Sequence, residues 1–240
     1  MNIKTQEYLI NSNKWRAGGF LGALVAVIGI FFIAPAFEKN FYAHLLLQCN
    51  FILLILSSVY AIDGQRSILI VGPFLLIPFI YFDSLSFLYH SLPYMIIAYG
   101  FSWAFTLLAI VVLMRKILCA GLVNTDLIFG ALMVYLLSGI LWAKFYFIEN
   151  MMNPGSFNGA GILNFDGTTL LNAYEQQFNF LYYSFATLAT LGMGDITPLS
   201  HLAKSFTAIE AMFGQLFVAI VIAKLVSVWW HVPGAVERVN

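Results

Sequence analysis

Charge is scarce in this 240-residue chain, where 11 basic and 11 acidic residues amount to 9% of the sequence and cancel to a formal net charge of zero. Soluble globular domains carry about 25% charged residues, so the chain falls outside that class. It contains no block of like charge, which excludes an electrostatic surface built for nucleic acid or an acidic partner. Cysteine is equally sparse. Cys49 and Cys119 provide no disulfide framework and no metal-ligand spacing. Both lie in or beside apolar stretches and are expected to be small buried hydrophobes. The opening Met-Asn-Ile-Lys-Thr-Gln-Glu is too polar, and the apolar run after it too long, for a cleaved signal peptide, so the first apolar run is expected to remain in the membrane. No enzyme chemistry is expected.

What fills the chain is apolar: 61% of its residues are hydrophobic and 17% aromatic. A helix needs about 20 apolar residues to cross a bilayer. Six segments meet or approach that length, at 17–37, 42–62, 67–82, 93–114, 126–148 and 203–230. The third is interrupted by Pro73 and Pro78 and ends near Asp83, and is read as a kinked span. Lys4, Lys14, Arg16, Arg66, Arg115 and Lys116 all fall on one side of this arrangement, which makes both termini cytoplasmic. The long loop at 149–201 is then extracellular. Its first part, 150–169, is rich in Gly and Asn and carries Met-Asn-Pro-Gly, the signature of a turret of turns. Its second part, 170–190, turns apolar and aromatic. Phe178, Phe180, Leu181, Tyr182, Tyr183, Phe185 and Leu188 are expected on a short re-entrant helix, whose negative dipole end points at the space beneath the residues that follow.

Those residues are Thr187-Leu188-Ala189-Thr190-Leu191-Gly192-Met193-Gly194-Asp195. A polar, glycine-punctuated run between two apolar segments suits an ion selectivity filter, in which successive backbone carbonyls replace the water around a cation. Gly192 and Gly194 supply the backbone freedom this requires.

The order of outer helix, aromatic pore helix, Thr190-Leu191-Gly192-Met193-Gly194-Asp195, Pro198 and inner helix resembles the pore module of tetrameric potassium channels, over about 100 residues at 126–230. Thr190, Gly192, Gly194 and Asp195 match that family's Thr-Val-Gly-Tyr-Gly-Asp pattern. Pro198 and Gly214 fall at family spacings, with Gly214 at the inner-helix gating hinge. The stretch 208–226, with Glu210, Gly214 and Ala223-Lys224-Leu225-Val226, is similar to that of small six-span bacterial channels. The resemblance implies an all-α integral membrane fold of six transmembrane helices with a re-entrant pore helix, in a bacterial inner membrane. It implies K+ ions held at Thr190, Leu191, Gly192 and Met193, with no other cofactor. One filter strand per chain cannot surround an ion, so a homotetramer in membrane lipid follows. The pore domain would occupy 117–240 and a peripheral four-helix domain 1–116.

The departures from the family pattern are specific. Met193 stands where the family has an aromatic that braces the filter, which leaves a weakly selective Na+ and K+ pore as the alternative to a potassium-selective one. Tyr182 and Tyr183 replace a tryptophan pair on the pore helix, and one of them is expected to donate a hydrogen bond to Asp195. Ala186 stands where some members hold a glutamate behind the filter. The fourth span has no arginine or lysine before Arg115, so strong voltage gating is not expected. With ten residues after Trp230, a ligand-sensing cytoplasmic domain is not expected. Lys144 and Glu210 lie at similar depths in the fifth and sixth spans, where an intramembrane ion pair is the sharper reading and snorkelling of Lys144 to the headgroups the blander one, whereas Lys224 is expected to snorkel. His44, His90 and His201 share the outer side, where external proton or zinc sensitivity is the sharper reading and unrelated interfacial histidines the blander one. Gly18 and Gly22 form a small-xxx-small pair on the first helix. A potassium transporter or its membrane subunit, and a non-conducting channel subunit, remain the readings outside a self-sufficient channel.

Overall fold

A computed structural model describes residues 66–89, 91–119, 125–159, 162 and 170–230, with five isolated positions nearer the N-terminus. The spans expected at 17–37 and 42–62, the Gly18 and Gly22 pair, His44 and His90 lie outside the described residues or are represented only by those isolated positions. One of these, Cys49, is a free cysteine with an exposed side chain, against the expectation of burial. An apolar side chain in a membrane loses little by facing lipid instead of protein.

Five helices follow in order. They are α1 (Arg66–Tyr89), α2 (Leu92–Cys119), α3 (Thr125–Met152), α4 (Leu170–Leu188) and α5 (His201–Trp230). Helix α1 runs through Pro73 and Pro78 as one element rather than breaking at either. Three helices are long and apolar enough to cross a membrane, over Pro93–Arg115 in α2, Ile128–Met152 in α3 and His201–Lys224 in α5, and α1 adds a shorter apolar segment at Phe74–Ser86. The chain is a membrane protein.

The expected all-α architecture needs one amendment. Three-residue strands β1 (Phe157–Gly159) and β2 (Ile196–Pro198) pair antiparallel, with Phe157 opposite Pro198, Asn158 opposite Thr197 and Gly159 opposite Ile196. Strands this short hold no readable period-2 pattern, and the pairing joins the loop after α3 to the segment just beyond Asp195.

Two cores position the site. The larger runs along the α2 and α3 seam, where Ala98, Leu113, Val134 and Leu137 are fully buried. The smaller gathers where α3, α4, α5 and the strands meet, and is built from aromatic rings. Tyr146 meets Phe157 at 5.4 Å and Tyr183 at 5.3 Å, and Phe157 meets Phe180 at 5.0 Å, all edge to face. Each such pair adds about 0.5–1.5 kcal/mol beyond its burial. The aromatic core thus fixes α4 against α3. Ser200, immediately before α5, accepts a hydrogen bond from the Ala203 amide at 3.0 Å as an N-cap, and its hydroxyl donates to Glu149 of α3 at 3.1 Å.

Candidate functional site

Helix α4 ends in a way that shapes everything after it. The Leu191 amide donates to the Ala186 carbonyl at 2.8 Å and the Thr190 amide to the Thr187 carbonyl at 2.9 Å. This crossed pair is a Schellman termination, which needs its pivot residue in the left-handed region and is ordinarily served by glycine. Here the pivot is Thr190, at φ 56°. A β-branched residue in that conformation costs roughly 1–2 kcal/mol. Its hydroxyl is engaged twice, donating to the Ala189 carbonyl at 2.7 Å and accepting from Gln215 Nε2 of α5 at 3.0 Å.

Positive φ then recurs at alternate residues, 57° at Gly192 and 81° at Gly194, while Leu191 and Met193 keep negative φ. An ordinary strand points successive carbonyls to opposite sides. Alternation of left- and right-handed residues removes that reversal and favours carbonyls turned the same way. Residues 189–195 are exposed on the single chain. Among the described residues no donor meets the carbonyls of Thr190, Leu191, Gly192, Met193 or Gly194. The five oxygens are therefore available as ligands for a hard cation.

Several residues hold this run from behind. Tyr182 hydrogen-bonds the Asp195 carboxylate, and Asp195 Oδ1 also accepts from the Ile196 amide at 3.0 Å. Tyr183 turns elsewhere: its hydroxyl meets Thr207 of α5 at 2.8 Å, so it braces α4 against α5. Ala186 is buried and contributes its backbone carbonyl to the helix termination.

Gly214 lies within an unbroken α5. A Cβ built there would fall 2.1 Å from the Leu188 carbonyl oxygen. The glycine is required because the end of α4 rests directly on α5, a close approach that the sequence pattern, read as a hinge, did not reveal. Gln215 also went unnoticed in the sequence, since a glutamine one residue past that glycine carries no periodic signal.

The expected Lys144 and Glu210 ion pair is corrected. The Lys144 ammonium donates to the hydroxyls of Ser102 and Thr106 on α2, the latter at 3.2 Å. Glu210 is fully buried and accepts from Tyr146 at 2.6 Å and from Ser184 at 2.5 Å. Tyr146 and Lys144 are two residues apart on α3, about 200° around the helix, so a tyrosine facing Glu210 turns the lysine to the opposite side. Similar depth is not a shared face. His201 opens α5 and is exposed, and Lys224 is half-buried near the far end of that helix. Among the described residues no cluster of three metal-ligating side chains occurs.

A membrane-embedded helical assembly that presents a run of unpaired carbonyls beside a buried helix end is the architecture of an ion-conducting protein. Residues 127–231 match the family model described as an ion channel, and this part of the chain is an ion channel domain, in accord with the potassium channel pore resemblance. No curated protein and no solved structure matches the chain significantly.

Proposed function

We propose that the protein is a passive, potassium-selective channel whose filter is formed by Thr190, Leu191, Gly192, Met193 and Gly194 from four copies of the chain. The observation that carries the reading is the set of unpaired carbonyls at 190–194 with positive φ at every second residue. Unpaired carbonyls cannot face hydrocarbon, because each costs several kcal/mol there. Other copies of the same strand, with cations between them, meet that demand. The burial of the helices supports assembly as well: 17% of the apolar span of α5 is buried within the single chain, against 50% of that of α3. The weakly buried inner helix is the one that an assembly around a central axis would cover.

In this reading α4 is the re-entrant pore helix, and its carboxyl end at Leu188 directs negative potential toward the cavity below the filter. A dehydrated K+ ion exchanges its water for carbonyl oxygens at Thr190, Leu191, Gly192 and Met193, and neighbouring ions assist each other's exit. Six spans per chain, with termini in the cytoplasm, complete the arrangement. Helix α2 carries Arg115 only near its end, so steep voltage activation is not part of the mechanism.

Planar bilayers with K+ on one side and Na+ on the other test the assignment. A reversal potential at the K+ equilibrium value is expected. A value between the two ions would replace the selective pore by a weakly selective one, and absence of current would favour a transporter component or a non-conducting subunit.

A further inference from the structure

Glu210 of α5 joins that helix to both α3 and α4 through polar contacts, and a count of its hydrogens is informative. Ser184 Oγ lies 2.5 Å from Glu210 Oε1 and 2.8 Å from the Gly139 carbonyl oxygen. Both separations are those of made hydrogen bonds between oxygens. A serine hydroxyl owns one proton, a carbonyl owns none, and an ionised carboxylate owns none. Two bonds around one hydroxyl therefore need a second proton, and only Glu210 can supply it. Tyr146 donates to the other oxygen, Oε2, at 2.6 Å.

We infer that Glu210 is a neutral carboxylic acid whose proton lies on Oε1 and donates to Ser184, which in turn donates to the Gly139 carbonyl, so that one relay clamps α5 to α4 and α3 behind the filter. The surroundings agree. Glu210 is fully buried, and the cation nearest along α3, Lys144, is turned toward α2. Among the described residues, the other titratable groups that face Glu210 are the phenols of Tyr135 on α3 and Tyr183 on α4, which are neutral donors, not counter-ions. An ionised carboxylate in that position would lack the charge partner that burial demands.

The clamp makes Glu210 a positioning residue. Ser184 lies four residues before Leu188, whose carbonyl seats on Gly214, itself four residues after Glu210. The relay and the close approach are thus successive turns of the same α4 and α5 contact, and they fix the height of Thr190. This role in conduction rests on the proposed pore, whereas the protonation state does not.

Infrared difference spectroscopy of the purified full-length protein, wild type against Glu210→Gln at neutral pH, tests the chemistry. A protonated-carboxyl C=O band is expected in the wild type and lost in the variant, and in Ser184→Ala it shifts to higher frequency as the acid loses its acceptor. Bands of an ionised carboxylate in the difference spectrum, or a carboxyl band unmoved by Ser184→Ala, would overturn the inference. Potassium flux into liposomes tests the positioning role. Glu210→Gln, neutral and able to donate to Ser184 and accept from Tyr146, keeps flux within about twofold of wild type, while Glu210→Ala leaves Tyr146 without this acceptor and Ser184 without this donor and loses about tenfold. Equal loss in both variants would refute the positioning role. A silent wild type would refute the pore and leave the infrared result standing.

Discussion

Thr190 occupies a conformation that glycine would adopt at less cost, and its side chain explains why threonine is there. The hydroxyl is held by Gln215 from α5 and binds the preceding carbonyl, so Thr190, the first residue of the proposed filter, is anchored to α5. Gln215→Leu removes a hydrogen bond worth about 0.5–1.5 kcal/mol. The expected result is a decrease of roughly twofold to tenfold in the K+ over Na+ permeability ratio, read from bi-ionic reversal potentials, with little change in expression. An unchanged ratio would detach Gln215 from the filter. Gly214→Ala is more damaging, because its methyl would meet the Leu188 carbonyl at 2.1 Å. A loss of about 1–3 kcal/mol in unfolding stability is expected, measured by denaturant titration in detergent micelles. A hinge role alone would instead alter opening and leave stability intact. The residue types at 190–195 were legible in the sequence because backbone chemistry dictates small and glycine residues there. The partners of Glu210 and Gly214 were not, since both depend on which face of one helix meets another, and depth along a span is silent about rotation.

Among the elements, the helices follow their apolar runs closely. The expected 93–114, 126–148 and 203–230 appear as Leu92–Cys119, Thr125–Met152 and His201–Trp230. The ends differ most where polar residues are drawn into a helix. Glu149 and Asn150 lie in the last turns of α3 and are buried there, although their polarity suggested loop. The β1 and β2 pair was invisible for the opposite reason: three residues are too few for an alternating pattern, and the partners are about forty positions apart. The junction it forms is reinforced by Ser200, which caps α5 and reaches Glu149. Ser200→Ala is expected to lower stability by about 1 kcal/mol, with Ser200→Asp retaining the cap in the same titration. Equal stability of wild type and Ser200→Ala would show that the strands and aromatic core alone hold the junction.

For the whole molecule, the match to the ion channel family model covers 127–231, while α1 and α2 precede it. The tie between the two parts includes Lys144, which extends from α3 to Ser102 and Thr106 of α2, so the preceding helices are coupled to the outer helix of the proposed pore by a polar contact as well as by the apolar seam. The central claim is that the carbonyls at 190–194 bind dehydrated cations on an axis shared by four copies. An experimental structure of the assembled protein in Rb+, with the ions located by anomalous scattering, tests it most directly. The account predicts ions stacked on a fourfold axis between the carbonyl layers of Thr190, Leu191, Gly192 and Met193. A filter segment lacking axial ions, or facing lipid or a different protein, would contradict it.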